Sequence, residues 1–360
     1  MEKVKVLITD DSIFMRKLLS DLLDKHPLIE VVATAKNGIE ALEKIHEYSP
    51  DVVTLDVEMP RMNGLQALDK IMQDYPVPII MLSSTTAEGS LNTIIAMEKG
   101  AVDFVAKPSG SISLDIHKVK EELIEKILLA SKTNVRVLHP ERKKEGKALS
   151  KLVKYSKMDL LEKLANTEPS LVCVGTSTGG PRALQAILTK MPKSFPAPVF
   201  IVQHMPKHFT KSLANRLDSM SAITVVEAIH NQTVEAGTAY IAPGDFHMEV
   251  IKHRGNLVIQ LLDSAPLKGH RPSVDVLFTS ISKLANHKKV AVILTGMGND
   301  GTAGLRQMKE KDVGCTLALA ESEGSSIVFG MPKAAIQTGF VDEVLDLDDV
   351  AQRIQQYIYS

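Results

Sequence analysis

The sequence predicts two doubly wound α/β domains joined by a linker, and three observations support this fold class. Apolar strand-like runs alternate with helical patterns five times in the first 130 residues, and the same alternation returns after residue 170. Between these regions the alternation stops, and residues 132–157 contain nine Lys or Arg and only two Glu. A chain of 360 residues is long enough to bury two cores. We therefore expect domains at 1–130 and 170–360, and a linker at 131–169 that carries a short amphipathic helix near 149–164.

The first domain is predicted from five strand–helix units. The strand-like runs are VKVLI, VVATA, VVTLDV, IIMLSS and DFVAKP, and the helical patterns after them span 14–23, 38–46, 65–72, 91–97 and 115–129. Successive parallel strands need crossover connections, and these cover both faces of the sheet with helices. This half is therefore expected to be a doubly wound parallel sheet.

Polar side chains follow the strands of this first sheet at the point where each strand ends. They are Asp10 and Asp11 after the first strand, Asp56 in the third, Ser83 after the fourth and Lys107 after the fifth. The carboxyl ends of parallel strands meet at one edge, where doubly wound folds bind their ligands. Three carboxylates at one edge repel one another unless a divalent cation lies among them, and oxygen ligands suit Mg²⁺. The lysine and the hydroxyl then complete a site for a phosphoryl group on one carboxylate.

This half resembles the receiver domain of two-component response regulators over its whole length. The resemblance implies a flavodoxin-like fold with Asp56 as the phosphoacceptor and with Asp10 and Asp11 helping to hold Mg²⁺. The family's two phosphoryl contacts and its switching aromatic fall on Ser83, Lys107 and Phe104. An aspartyl phosphate adds charge at the sheet edge and reorders nearby loops. The first domain is therefore expected to be a switch that a histidine kinase phosphorylates.

A glycine-rich turn opens the second domain. The run LVCV predicts a buried strand, and the turn Gly175-Thr-Ser-Thr-Gly-Gly180 precedes a helix that Pro181 opens. Ser177 lies at the bend, where the helix N-terminus favours developing negative charge. The Gly-x-Ser-x-Gly pattern matches the nucleophile elbow of serine hydrolases, but glycine-rich turns bind phosphate just as readily. A base and an orienting carboxylate at other strand ends are needed to decide between the two.

Two other strand ends of the second half supply those groups. The strand at 198–204 ends on His204, and the buried strand at 290–294 runs into a second glycine-rich loop that contains Asp300. In this interpretation Ser177 attacks, His204 takes and returns the proton, and Asp300 fixes the tautomer of the imidazole. Backbone N–H groups beside the serine or in the second glycine-rich loop are placed to hold an oxyanion.

Other assignments of the base and the acid exist. Asp300 before Gly301 is also typical of a helix N-cap. The usual α/β-hydrolase order of serine, acid and histidine would name His270 or His287 as the base, and Asp245 or Asp263 as the acid. Those residues fall in helical patterns or in the region 223–263, which predicts short strands and a hairpin across 254–256. We therefore favour serine, histidine, aspartate in a mainly parallel α/β domain with an inserted β-hairpin region.

The second domain also resembles a known family, the chemotaxis response regulator protein-glutamate methylesterases (CheB). The matching motifs are Gly175-Thr-Ser-Thr-Gly-Gly180, Gln203-His-Met-Pro206, Tyr240-Ile-Ala-Pro-Gly244 with His247-Met248, His270-Arg-Pro-Ser-Val-Asp275, Leu294-Thr-Gly-Met-Gly-Asn-Asp300-Gly301 and Val328-Phe-Gly-Met-Pro332. The resemblance implies Ser177, His204 and Asp300 as the catalytic triad. It also implies that Thr178 orients His204 and that Met297 and its loop support the oxyanion.

The function that the resemblance implies is hydrolysis of glutamate γ-methyl esters on the cytoplasmic helices of chemoreceptors. The same chemistry would deamidate receptor glutamines, and both activities would serve chemotactic adaptation. Ester hydrolysis would need no cofactor, whereas phosphorylation of the receiver would need Mg²⁺. The rival hypothesis is a phosphorylation-gated binding module whose glycine-rich loops hold a ligand without turnover.

Composition argues against several other classes of protein. With 42 Lys+Arg against 43 Asp+Glu, the net charge of −1 gives no argument for nucleic acid, and no helix-turn-helix pattern occurs. Both cysteines lie in apolar runs, which favours a reduced, packed role. No apolar run approaches the length of a membrane span, and the N-terminus leads directly into a strand instead of a signal peptide. We expect a cytoplasmic protein without nucleic-acid partners or membrane insertion.

Overall fold

The computed structural model describes residues 2–107, 115–133, 168–311 and 315–360. The predicted linker at 131–169, with its amphipathic helix, lies almost entirely outside the described residues. Within them, the chain forms two parallel sheets covered by helices, and one antiparallel hairpin. None of the described helices is long and apolar enough to cross a bilayer.

The first sheet has five parallel strands in the order β2-β1-β3-β4-β5. Its strands are β1 (Val4–Thr9), β2 (Ile29–Ala35), β3 (Val52–Asp56), β4 (Ile79–Ser83) and β5 (Asp103–Ala106). Its helices are α1 (Ile13–Leu23), α2 (Gly38–Tyr48), α3 (Gly64–Asp74), α4 (Ala87–Glu98) and α5 (Asp115–Ala130). All five predicted strand–helix units form, and the doubly wound arrangement of this half is confirmed.

Polar caps set where several of these helices begin. The Asn37 side chain accepts from two backbone N–H groups at the start of α2, and Asn63 with Gln66 forms a capping box on α3. Helix α4 begins four residues earlier than its apolar pattern predicts, because the Thr86 hydroxyl accepts from the N–H of Gly89. The polar first turn of α4 carries no hydrophobic periodicity, so the pattern alone could not locate its start.

The second sheet has seven parallel strands in the order β14-β13-β12-β6-β7-β9-β8. Its strands are β6 (Leu171–Thr176), β7 (Val199–Gln203), β8 (Thr224–Glu227), β9 (Thr238–Ile241), β12 (Lys289–Ile293), β13 (Thr316–Glu321) and β14 (Glu343–Leu345). The helices around it are α6 (Gly180–Leu188), α7 (Phe209–Asp218), α8 (Val274–Ser282), α9 (Thr302–Lys311), α10 (Met331–Gln337) and α11 (Leu347–Tyr359). The predicted mainly parallel α/β domain is therefore present.

The predicted hairpin is also confirmed. It consists of β10 (His247–His253) and β11 (Asn256–Leu262), which pair antiparallel outside the main sheet. Arg254 and Gly255 join them with φ angles of 48° and 90°. Positive φ at both central residues is the conformation of the tight turns that match the twist of a hairpin.

The strand order places three strand ends side by side at the centre of the second sheet. Strand β6 pairs with β12 on one side and with β7 on the other, and all three run in the same direction. Every residue of the three strands is buried. The loops that leave their carboxyl ends therefore start next to one another on a rigid platform.

Strand β13, the next strand along, ends on a buried carboxylate. Glu321 is 0% exposed, and its Oε2 accepts from the backbone N–H of Thr295 at 2.7 Å while Oε1 accepts from the Ser325 hydroxyl at 3.1 Å. Burial raises the pKa of Glu321 from 4.5 to about 7, and the hydrogen bonds from Thr295 and Ser325 only partly oppose this. The group therefore binds its proton more tightly in the folded chain than in the unfolded one.

Substitution Glu321→Gln is expected to change the pH dependence of stability. Because the folded pKa is raised, the contribution of Glu321 is fully present below pH 4.5 and is lost as pH rises through about 7. The free energy of unfolding of the wild type, relative to Glu321→Gln, should fall by about 3 kcal/mol between about pH 4.5 and about pH 8. Denaturant unfolding at both pH values measures this, with exposed Glu323→Gln as the matched control. A difference between wild type and Glu321→Gln that does not change with pH would contradict the titration.

Candidate active site

Ser177 follows β6 directly and is held against the loop after β12. Its backbone N–H donates to the carbonyl of Thr295 at 3.0 Å, and the Thr176 hydroxyl donates to the same carbonyl at 2.8 Å. The turn then passes through Gly179, with φ of 79°, into α6. A side chain at Gly296 would place its Cβ 2.8 Å from the Cβ of Ser177. Ser177 thus packs against the backbone of Gly296 and lies at a bend just before the N-terminus of α6.

His204 follows β7 and pairs with Asp300. Its Nε2 lies 2.8 Å from Oδ2 of Asp300, and the two side chains are only 8% and 1% exposed. The carboxylate can only accept, so Nε2 carries the proton and Nδ1 of the neutral ring has a free lone pair. This Nδ1 is buried and has no hydrogen-bond partner within the described part of the chain. His204 therefore has one nitrogen fixed by an acid and the other open to accept a proton.

The Gln203 side chain connects the serine turn to the histidine. Its Nε2 donates to the carbonyl of Ser177 at 2.9 Å and to the carbonyl of His204 at 3.1 Å. A Cβ at Gly180 would come within 1.8 Å of the Gln203 Oε1, so only glycine leaves room for this amide. The role of Gln203 was not predicted from the sequence, although a polar residue at the end of a buried strand was a signal for it.

Asp300 is fixed by donors from three directions. Its Oδ1 accepts from the Ser273 hydroxyl and from the N–H groups of Asp275 and Gly301, and its Oδ2 accepts from the N–H of Val274 as well as from His204. Burial alone would raise the pKa of Asp300, but the hydrogen bonds from His204 and from the backbone outweigh it and hold the pKa below its ordinary value. The carboxylate is therefore ionised at neutral pH. It also stabilises the N-terminus of α8, which adds a capping role to its pairing with His204.

Backbone donors for an oxyanion lie beside the serine. The N–H groups of Thr178 and Met297 make no hydrogen bond to any residue that the structure describes. Gly298, with φ of 84°, turns the chain after Met297, whose side chain is 37% exposed. The Thr178 hydroxyl donates to Asp103 of the first domain instead of reaching His204. The predicted role of Thr178 in orienting His204 thus has no contact here to support it and stays a prediction.

The other bases and acids that the hydrolase order suggests are placed differently. His287 is 2% exposed, and its Nδ1 donates to the carbonyl of Pro169 at 2.7 Å. It precedes β12 and therefore lies at the amino end of that strand, whereas Ser177 and Asp300 lie beyond carboxyl ends. Asp245 is exposed, and Asp263 pairs with Arg271 at the surface. Only His270 reaches the site, where its ring stacks on His204. The order serine, histidine, aspartate is the one that this geometry supports.

The first sheet gathers its predicted polar residues at one edge. Carboxylate oxygens of Asp10, Asp11 and Asp56 lie within 4.8 Å of one another. Lys107 Nζ lies 2.8 Å from Asp10 and 2.8 Å from Asp56. Burial raises the pKa of Asp56 to about 6, with Lys107 opposing the shift and Asp10 adding to it. Three carboxylates this close together, with Asp10 and Asp56 buried and Asp11 exposed, are a set of oxygen donors that fits Mg²⁺.

Two other predicted residues of this domain face away from that edge. The Ser83 hydroxyl lies 3.1 Å from the carbonyl oxygens of both Ser84 and Gly89, either of which can accept its hydrogen bond, and it accepts from Thr93, so it points toward α4. Phe104 is 4% exposed, and its ring stacks on Phe209 of α7 at 4.5 Å between centroids. The predicted phosphoryl contact of Ser83 requires its side chain to rotate. The aromatic at the predicted switch position is instead part of a contact between the two domains.

That contact between the domains lies next to the serine turn. Asp103, which accepts from Thr178, also pairs with Lys126 of α5 at 3.2 Å. Glu98 at the end of α4 forms a bidentate ion pair with Arg216 of α7, at 2.9 and 2.8 Å. A cavity of about 230 Å³ separates the end of α5 from Met297 and residues 327–330. The first domain therefore lies directly beside the proposed oxyanion loop.

The fold and the site define a two-domain α/β protein in which a receiver-type sheet lies beside a second α/β domain with Ser177, His204 and Asp300 at one edge of its sheet. Comparison with known proteins agrees with this class. A family model described as CheB methylesterase matches residues 172–354, and one described as Response regulator receiver domain matches residues 6–117. This chain belongs to the CheB methylesterase family and carries a response regulator receiver domain.

Similar proteins of known name span the full chain. The protein-glutamate methylesterase/protein-glutamine glutaminase of Geobacillus kaustophilus (strain HTA426) is 54% identical over 358 residues, which cover 99% of each chain. The protein of the same name from Bacillus subtilis (strain 168) is 47% identical, over 98% of this chain and 97% of that one. The crystal structure of the Thermotoga maritima CheB methylesterase catalytic domain aligns with a TM-score of 0.51 and 42% identity, covering 52% of this chain and 98% of that one.

Substitution Gly296→Ala is expected to slow attack by the serine. The added Cβ would lie 2.5 Å from Sδ of Met331 and 2.8 Å from the Cβ of Ser177, so it presses on the serine even if the flexible Met331 side chain moves away. Because displacements well under 1 Å already weaken catalysis, the rate of labelling by an organophosphonate should fall by about 10- to 100-fold. Gly324→Ala, whose Cβ would meet only the Ser322 hydroxyl at 3.9 Å, is the matched control. Equal labelling rates for the two variants would show that the serine does not depend on Gly296.

Proposed function

We propose that this chain is a phosphorylation-activated protein-glutamate methylesterase and protein-glutamine deamidase that acts on chemoreceptors through Ser177, His204 and Asp300. The observation that carries the proposal is the His204–Asp300 pair, at 2.8 Å, on the strand ends that flank the serine. The family model, and the name that relatives at 54% and 47% identity carry, support the reaction.

The first half of the reaction forms an acyl-enzyme. Ser177 Oγ attacks the γ-carbonyl carbon of the methyl ester while Nδ1 of His204 takes the hydroxyl proton. The carbonyl oxygen becomes an oxyanion, which the N–H groups of Thr178 and Met297 would stabilise, since neither is hydrogen-bonded within the described residues. The intermediate then breaks its bond to the methoxy group, which takes the proton from His204 and leaves as methanol. Glutamine would react in the same way and release ammonia.

The second half restores the enzyme. Water attacks the acyl-enzyme while His204 takes its proton, and the new intermediate expels the Ser177 oxygen, which receives that proton. The product is a glutamate side chain. Throughout both halves Asp300 keeps Nε2 of His204 protonated and offsets the charge of the imidazolium. The hydrogen bonds that Asp300 accepts keep its carboxylate ionised for this role.

Loss of the nucleophile is the direct test of this mechanism. Ser177→Ala should lower kcat by roughly three to six orders of magnitude without unfolding the protein, because triad members act as one unit. Asp300→Asn should also lose several orders, since the amide favours the wrong tautomer of the imidazole. Release of methanol from a methyl-labelled receptor measures turnover. An organophosphonate should label the wild type but not Ser177→Ala.

Two outcomes would contradict the assignment. Turnover of Ser177→Ala within about tenfold of wild type would remove Ser177 from the mechanism. If Asp300→Asn lowered only the melting temperature, its role would be restricted to stabilising the N-terminus of α8. Phosphonate labelling without methanol release would instead favour the binding-module hypothesis with an incidentally reactive serine.

The receiver domain supplies the control of this activity. Phosphotransfer from a histidine kinase would modify Asp56, with Asp10 and Asp11 holding the Mg²⁺ that the transfer requires and Lys107 pairing with the phosphoryl group. When bound by these carboxylates, Mg²⁺ would offset their charge and that of the incoming phosphoryl group. Ester hydrolysis uses no such ion in this proposal. We assign residues 1–130 to the receiver, 131–169 to the linker and 170–360 to the methylesterase domain. We also propose that the protein is cytoplasmic.

Contacts across the domain boundary suggest how phosphorylation is transmitted. The receiver meets the second domain through Phe104 on Phe209, Glu98 on Arg216 and Asp103 on Thr178. A receptor helix must reach the same edge, so a docked receiver competes with the substrate. Phosphorylation that weakens the docking shifts the population toward an open form, and each tenfold gain in activity requires about 1.4 kcal/mol.

Substitution Arg216→Ala is expected to raise the activity of the unphosphorylated protein. It removes a bidentate ion pair with Glu98 that is partly exposed, so a gain of about three- to tenfold is expected. Arg353→Ala is the matched control, because Arg353 forms an equivalent bidentate pair with Glu343 inside the second domain. Asp56→Asn should stay at the basal rate when a small phosphodonor is added. Unchanged basal turnover in Arg216→Ala would show that this pair does not hold the closed form.

A further inference from the structure

A second imidazole lies on the face of the proposed base. The rings of His204 and His270 have centroids 3.9 Å apart and planes inclined by only 7°. His270 has no place in a serine, histidine and aspartate triad, and the mechanism above does not use it. A parallel ring stacked on the proposed base nevertheless limits how far the ring of that base can tilt.

The segment that carries His270 also holds the acid. His270 exchanges two backbone hydrogen bonds with Leu267, both at 3.0 Å, which fix its position at the end of a tight loop. A few residues later, Ser273, Val274 and Asp275 donate to Asp300. One stretch of chain therefore sets the position of the acid and covers the ring of the base at the same time.

The hydrogen bond to Asp300 does not by itself fix the plane of the His204 ring. A ring held at Nε2 alone can tilt about that contact, and the tilt moves Nδ1 relative to the serine hydroxyl. Since Nδ1 has no hydrogen-bond partner among the described residues, no second hydrogen bond on the ring edge opposes the tilt. A flat neighbour at 3.9 Å opposes it, because tilting would drive ring atoms into one another.

The charge of His270 suits this contact. Burial lowers the pKa of His270, and the neighbouring His204 and Lys268 add to this effect. Asp300 opposes it only in part, so the pKa is about 4. At neutral pH the ring is therefore uncharged. A neutral aromatic face can lie against the imidazolium that forms during the reaction without charge repulsion.

We propose that His270 is a positioning residue that sets the plane of the His204 ring by stacking, so that the free nitrogen Nδ1 keeps a constant orientation. This inference rests on the proposed function, because it assigns His204 as the base. His270 acts through the shape of its ring and takes no part in proton transfer.

The test compares three variants of the full chain, each activated by a small acyl phosphate and Mg²⁺. His270→Ala removes the ring, and His270→Phe keeps a flat ring without nitrogen atoms. His253→Ala, at the exposed end of β10, is the matched control for loss of a histidine. The measurements are kcat and KM on methyl-labelled receptor, the rate of phosphonate labelling at Ser177, and the melting temperature.

We expect His270→Ala to lower kcat and the labelling rate by about 10- to 100-fold, with KM changed by less than about threefold, because the base is misplaced and not removed. His270→Phe should recover most of both rates, and His253→Ala should match wild type. Recovery by phenylalanine separates stacking from a general packing role when the melting temperatures of the alanine and phenylalanine variants are compared.

Three results would overturn the inference. Wild-type rates in His270→Ala would show that stacking is not needed. Loss of activity in both His270 variants, with both folded, would show that a ring nitrogen of His270 takes part in the chemistry. Rates that follow the melting temperature alone would reduce His270 to a structural residue. The proposed function is checked separately with His204→Ala, since an active His204→Ala enzyme would refute the triad whatever His270 does.

Discussion

The buried carboxylate of Asp300 is the group on which the geometry of the second domain's site depends. It is 2% exposed, and its five hydrogen bonds come from α8, from the loop after β12 and from His204. A buried carboxylate without such donors would be strongly destabilising, so the charge is kept only while these elements hold their positions. The same bonds that stabilise Asp300 therefore fix where His204 can lie and which of its nitrogens carries the proton.

The serine is held by a second set of bonds between neighbouring strand ends. The carbonyl of Thr295 accepts from the N–H of Ser177, and the hydroxyl of Thr295 donates to the carbonyl of Thr178. Gln203 adds the link to the histidine side. Because buried polar groups are usually paired, these bonds favour one arrangement of the turn at Ser177, and its glycine neighbours allow the close approach. The turn is thus tied to the loop after β12 and to the end of β7.

The receiver contacts the second domain beside the turn at Ser177, through the first two residues of β5. Asp103 and Phe104 are consecutive, and they contact Thr178 and Phe209 of α7 respectively. Since the buried ring of Phe104 stacks on Phe209, a change in its packing acts on both domains. A contact of a few hydrogen bonds and one aromatic pair has a free energy of the size that a phosphorylation event can overcome.

The sequence by itself determined the two doubly wound sheets, the hairpin, and the polar residues at strand ends, because strand–helix alternation dictates that parallel strands end at a common edge. Strand ends alone predict that Ser177, His204 and Asp300 lie near one edge and that Asp10, Asp56 and Lys107 lie near the other, but they do not exclude His270 or Asp263 as base or acid. Only the tertiary structure decided that Nε2 of His204 faces the acid, that α8 holds Asp300, that Ser83 points to α4, and that His270 covers His204. These contacts join residues far apart in the chain or depend on side-chain orientation. They follow from how helices and loops pack on the sheet, which no local pattern of hydrophobicity encodes.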